Sequence, residues 1–171
     1  MYYQSLMDIE TSLSKSKRVE ERMISKYVED LDSWIITRKN TYKSRLNPIQ
    51  FSIDYDVSNE IAEYLFSLGL EHNLFTVYYE AETDLKENLG IISSEKFKEI
   101  LKNGSSIVEH PFEEEEFTIR LNNINILFAL VEKPTKEFVL DEEPPKKDIA
   151  PTYTGSNMSS GMRKLLLKMG E

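Results

Sequence analysis

The chain has no cysteine among its 171 residues. Disulfides, zinc–thiolate sites, iron–sulfur ligation and thiol catalysis are therefore excluded. No apolar run approaches the roughly eighteen residues that a membrane-crossing helix needs. The first ten residues, Met1 to Glu10, show neither a basic lead nor an uninterrupted apolar stretch. No signal peptide is expected, and the chain reads as cytoplasmic at synthesis. Glycine is scarce: Gly69, Gly90, Gly104, Gly155, Gly161 and Gly170 are scattered, and no Gly-Lys-Ser/Thr occurs. The phosphate cradle of nucleotide hydrolases is thus missing. Only two histidines are present. His72 follows an expected helix end, and His110 sits before Pro111 beside four glutamates. Neither has a serine or aspartate at a recognisable catalytic spacing.

Apolar residues make up 40% of the chain and aromatics 11%, enough for a folded core rather than a disordered polymer. The net charge of −9 argues against nucleic acid, whose binding is driven by counterion release to a basic surface. One local basic cluster, Arg38, Lys39, Lys43 and Arg45 interleaved with Trp34 and Tyr42, makes a second candidate interface; its plainer reading is a solvated helix end. Asp54, Asp56 and Glu60 resemble carboxylates that hold a divalent cation at a strand end. Helix capping explains Asp56 without a metal. No metal or cofactor is expected, and no small-molecule substrate is evident.

Hydrophobic spacing sets the fold expectation. Leu6, Ile9 and Leu13 line one helical face. Val19, Met23, Tyr27, Leu31 and Trp34, widened by Ile24, Val28 and Ile35, predict a long helix over about 16–39. Ile49 to Tyr55 alternates and reads as a strand. Asp56 or Ser58 caps a helix carrying Ile61, Tyr64, Leu65 and Leu68, closed by Gly69 as a left-handed cap. Asn73 to Ala81 is a second strand, and Glu82 to Asn88 an acidic loop. Ser93 or Ser94 opens a short helix with Phe97, Ile100 and Leu101, ended by Asn103-Gly104. Ile107 to Glu109 is a short strand. Phe117 to Leu121 and Ile124 to Val131, linked by Asn122-Asn123, read as a tight hairpin; Phe138 to Leu140 adds an edge strand. The expected class is α+β: a long N-terminal helix, two shorter helices and a mainly antiparallel sheet ending in a β-hairpin, with an extended C-terminal arm.

The domain expectation follows: one α+β domain over 1–140, an extended linker over 141–161 and a short basic-apolar docking segment over 162–171. Asp141 to Pro151 combines charge with proline and is semi-rigid. Its stretched reach from Leu140 to Met162 is on the order of 70 Å. Met162, Leu165, Leu166 and Met169 share one helical side, Arg163, Lys164 and Lys168 stay wetter, and Leu167 completes the apolar run. So short a helix needs shelter, either in a partner's groove or on its own domain. Ile149 and Tyr153 are further candidate anchors.

The functional expectation is a non-enzymatic structural or adaptor component of a large multi-subunit assembly. A bacteriophage connector, neck, tail or capsid-associated protein, resident in the virion once assembled, would fit. Its arm docks on neighbouring protein subunits, in a symmetric ring, with no membrane role. The alternative is a cytoplasmic regulatory protein, antitoxin-like or polymerase-binding, acting through the same tail. A third reading is a metal-dependent enzyme built on Asp54, Asp56 and Glu60.

Overall fold

Leu6, Ile9 and Leu13 are buried along α1 (Gln4–Ser14), as their spacing predicts. This helix has no side-chain cap of its own. Instead the buried carboxylate of Asp32 accepts the backbone N–H groups of Tyr2 and Tyr3 at 2.9–3.0 Å. That places a negative charge where the unpaired amides and the helix dipole favour one.

The computed structural model describes residues 1–139 and 148–169. The class is α+β, with a three-stranded antiparallel sheet in the order β2-β1-β5 and a two-stranded antiparallel sheet β3-β4. Two compact units divide the chain, unit 1 comprising Met1–Thr76 and Phe128–Pro151, unit 2 comprising Val77–Leu127 and Thr152–Glu171. Asp141–Lys147 of the expected linker, and Gly170 and Glu171 of the expected docking segment, lie outside the described residues.

In unit 1 the expected long helix is broken. It becomes α2 (Val19–Ile24), a 3₁₀ turn (Ser25–Tyr27) and α3 (Val28–Ile36). The stripe holds only in its second half. Val28, Leu31, Trp34 and Ile35 are buried, whereas α2 buries nothing. A tighter 3₁₀ turn rotates the face between the two helices.

Ile49 to Tyr55 is helix, not strand: α4 spans Pro48–Tyr55. Asn47 Oδ1 accepts the Ile49 N–H at 2.8 Å, and Pro48 takes the first helical position. Proline there is preorganised, and this start signal outweighs the alternation. The alternating pattern was itself ambiguous, because Ile49/Ile53 and Phe51/Tyr55 are also helical i,i+4 pairs. Asp56 then ends α4 in the left-handed conformation (φ 53°), and Ser58 caps α5 (Asn59–Glu71) through Ile61 N–H. Three residues thus join two helices, a helix–turn–helix connection. Gly69 does not end α5. A Cβ there would lie 2.6 Å from the Phe75 ring, so glycine permits a close approach while Asn73 (φ 59°) takes the left-handed turn.

The helices of unit 1 close around aromatics. Trp34 meets Phe51 at 5.5 Å and Phe66 at 6.1 Å; Phe66 stacks on Phe75 at 4.9 Å and meets Phe128 edge-on at 5.1 Å. Leu46 bridges Phe128 in antiparallel fashion, its N–H donating to the Phe128 carbonyl at 2.8 Å.

Unit 2 holds most of β1 (Phe75–Glu82), β2 (Asn88–Ile92), α6 (Ser94–Asn103), β3 (Ser105–Glu109), β4 (Glu116–Arg120) and the start of β5 (Ile124–Leu130). Strand β2 is absent from the expectation. Gly90 (φ 89°) and the register shift beside Ala81 disguise it. Asn122-Asn123 is not a hairpin turn. Leu121–Asn123 is a 3₁₀ turn, β4 pairs with β3, and β5 pairs with β1. Buried Asn123 accepts the Arg120 N–H at 3.1 Å and donates to Asp84 at 2.8 Å. Its polar side chain therefore stitches the corner rather than turning a hairpin. Phe138 and Val139 form no strand, and Leu140 lies outside the described residues. Tyr79 stacks on Phe97 at 3.8 Å within the core of this unit.

Tyr3 supplies a test of unit 1. Its hydroxyl is buried with no hydrogen-bond partner among the described residues. Burial, then the Asp32 and Glu132 carboxylates, push its pKa up to about 12. The phenol stays neutral in the folded chain but ionises above about pH 10 once unfolded. Stability is thus intact below pH 10 and is lost as pH rises toward 12. Tyr3→Phe should leave urea stability at pH 7 unchanged or higher, and at pH 11 retain on the order of 1 kcal/mol that the parent loses. Parallel losses in both proteins would contradict this assignment.

Candidate interaction surface

The C-terminal segment expected to dock elsewhere is helical and is sheltered by its own chain. α7 (Ser160–Lys168) begins at Ser159, whose Oγ accepts the Met162 N–H. Met162 is 1% exposed and Leu166 is 0%. Leu165, Leu167 and Met169 are half-buried, while Arg163, Lys164 and Lys168 remain exposed. Two bonds tie this helix to α6: the Arg163 guanidinium donates to the Leu101 carbonyl at 2.6 Å, and the Lys98 ammonium donates to the Met169 carbonyl. Both α6 and α7 belong to unit 2. The sequence offered a foreign groove or the chain's own surface as shelter, and the chain's own surface provides it.

The approach to α7 is pinned as well. The Tyr153 side chain is buried, and its carbonyl accepts the Ile126 N–H at 2.8 Å. Gly155 packs so closely that a Cβ would lie 2.7 Å from the Leu121 carbonyl oxygen. The Gly/Ser-rich stretch 154–161 is consequently not a free spacer. Residues 148–151 lie along α4: Gln50 receives the Ala150 N–H and donates to the Asp148 carbonyl, and Asn47 donates to the Pro151 carbonyl. Ile149 alone of the expected anchors outside α7 stays exposed.

The second candidate interface is partly structural. Trp34 is buried, its indole N–H donating to Asp54 at 2.9 Å. Arg38 pairs with Asp54 at 3.5 Å and lies over the Trp34 ring at 5.3 Å. Lys39 and Tyr42 are exposed; burial lowers the pKa of Lys43. Asp54 is therefore committed to Trp34, Arg38 and Gln50. Among the described residues no group of three His, Asp or Glu side chains could hold a metal ion, and Asp54, Asp56 and Glu60 do not come together as one. None of the described helices is long and apolar enough to cross a membrane.

Unit 2 presents a surface that sequence reasoning missed. The β1–β2 loop is a tight turn: Lys86 (φ 68°) donates its N–H to the Thr83 carbonyl, and Thr83 Oγ1 accepts the Glu87 N–H. At its apex Leu85 is 93% exposed. The β3–β4 loop is organised by His110, whose own N–H bonds the Glu115 carbonyl at 2.8 Å. The ring nitrogen Nδ1 accepts the amides of Phe112 and Glu113, both at 3.1 Å. An acceptor at Nδ1 places the ring hydrogen on Nε2, which meets Glu87 Oε1 at 2.7 Å. One imidazole thus fastens the two loops together. Phe112, two residues beyond His110, is 92% exposed. Asp84 and Glu87 flank Leu85 in the chain and Glu113 to Glu116 follow Phe112, all exposed.

The signal for this tip was present as His110-Pro-Phe-Glu-Glu-Glu-Glu. It reads as a solvated acidic loop until the imidazole bonds show that it is held.

No family model, characterised protein or solved structure matches the chain.

Two outcomes check these assignments. Leu166→Ala should lower urea stability by about 2–5 kcal/mol, the range for emptying a buried leucine site; a loss near zero would mean that α7 is not packed. His110→Ala should speed hydrogen exchange of the Phe112 and Glu113 amides by about tenfold or more, while the β1 amides remain protected. Unchanged exchange at both would show that the ring does not hold the loop.

Proposed function

We propose that this chain is a non-enzymatic binding component of a multi-subunit assembly, and that its working surface is the acid-rimmed tip bearing Leu85 and Phe112. The observation that carries this reading is the pairing of order with exposure. A leucine and a phenylalanine stand almost fully in water on loops that a shared imidazole immobilises. Large exposed apolar groups in a held geometry are the usual anchors of protein contacts, where aromatics dominate binding. The carboxylate rim selects a basic surface on the partner and repels acidic ones. Repetition around a particle, as in a phage neck or tail, multiplies such small contacts into a stable structure. A regulatory protein that engages one partner would use the same tip and differ in stoichiometry.

The α4–turn–α5 connection by itself invites a nucleic-acid reading. The exposed side of α5 opposes it, since Asn59, Glu60 and Glu71 face water with Glu63 half-buried beside them. Such a face repels phosphate.

The test is affinity capture from the native source with the parent chain and with Leu85→Ser/Phe112→Ser, followed by reconstitution with the purified partner. The double variant should lose the partner by tenfold or more, about 1.4 kcal/mol or greater, and the parent's capture should weaken as salt is raised. Equal capture by both proteins would refute the tip as the working surface.

A further inference from the structure

Helix α2 is the counterpart of the tip in chemistry. None of its residues is buried. Val19 and Met23, four apart and so on one face, are 55% and 60% exposed. Over residues 15–26 the chain carries five basic residues (Lys15, Lys17, Arg18, Arg22, Lys26) against two acidic ones (Glu20, Glu21). Arg18 is partly engaged by Glu21 at 3.5 Å, and Arg22 donates to the Ser16 carbonyl. Lys15, Lys17 and Lys26 are exposed. Opposite in sign, residues 82–87 and 109–116 carry eight carboxylates (Glu82, Asp84, Glu87, Glu109 and Glu113 to Glu116) against Lys86. Each surface therefore offers two apolar side chains in a rim with an excess of one sign of charge, and the two excesses are opposite.

We infer that the partner at the tip is a second copy of this chain, whose α2 receives Leu85 and Phe112 on Val19 and Met23. This rests on the tip being a docking surface, and it names the occupant. The contact is heterologous, because the two copies contribute different patches. A joined pair keeps one free tip and one free α2, so the assembly grows until it closes on itself. A patch of two apolar residues is small, so the contact is weak on its own and depends on charge. Raising the ionic strength from low to high salt should weaken it by about tenfold.

The test is sedimentation velocity of the full chain across a dilution series, at low and high salt. The parent should show a mass that rises with concentration and falls with salt. Met23→Asp and Phe112→Ser, both on exposed side chains and checked for folding by circular dichroism, should each be monomeric. Mixed in equal amounts they should form a dimer that grows no further, since one keeps an intact tip and the other an intact α2. A parent that is monomeric throughout, single variants that associate like the parent, or a mixture that stays monomeric would each overturn the inference. The docking reading is decided separately. If the parent is monomeric but Leu85→Ser/Phe112→Ser still loses a captured partner, the tip binds a foreign protein and only the self-association is wrong. If capture is also unchanged, both are wrong.

Discussion

The imidazole of His110 is the constraint on which the proposed surface depends. Both of its ring nitrogens are used. The acceptor gathers two amides of the β3–β4 loop, and the donor reaches a carboxylate of the β1–β2 loop. Three of the six residues between β3 and β4 are glutamates, whose like charges repel and favour a spread loop. With the imidazole bonds, Phe112 is presented in one place. The His110 ring also lies 6.3 Å from the Phe112 ring, so the anchor and the residue it presents support each other.

The same logic runs through the rest of the chain: local polar groups decide which apolar surfaces are covered and which are left. Asp32 draws the N-terminal strand of backbone onto α3 and so covers Leu6, Ile9 and Leu13. Gln50 and Asn47 hold residues 148–151 on α4. Arg163 and Lys98 hold α7 to α6, and Leu166 is buried as a result. Val19, Met23, Leu85 and Phe112 are among the apolar side chains left exposed. Their exposure is what moves the functional argument from the C-terminal arm to α2 and the tip.

Much of the fold was legible in the sequence where a local rule and the core agreed. α1, α6 with its Ser93 and Gly104 caps, and the strand beginning near Asn73 follow from spacing and capping alone. Legibility failed where two rules competed. Ile49 to Tyr55 satisfies the strand period and the helical i,i+4 period together, and the Asn47-Pro48 start decides between them. Asn122-Asn123 satisfies a hairpin turn, but the pairing of β5 with β1 is a long-range choice that no local pattern records. Gly69 looks like a helix end and is instead a notch for Phe75. For the candidate site, the apolar periodicity of Met162 to Met169 marks the side of α7 on which Met162 and Leu166 are buried. Which surface buries them depends on Leu101 and Lys98, some sixty to seventy residues away. The tip was hidden because an acidic loop and a held acidic loop have the same composition.

Methyl-resolved NMR of the full chain over a range of protein concentrations tests the central claim most directly. The account predicts that the Leu85 and Met23 methyl resonances move together as concentration rises, while those of Met162 and Leu166 stay fixed. Movement of Met162 and Leu166 with Leu85 unchanged would contradict it, and would return the binding role to the C-terminal helix.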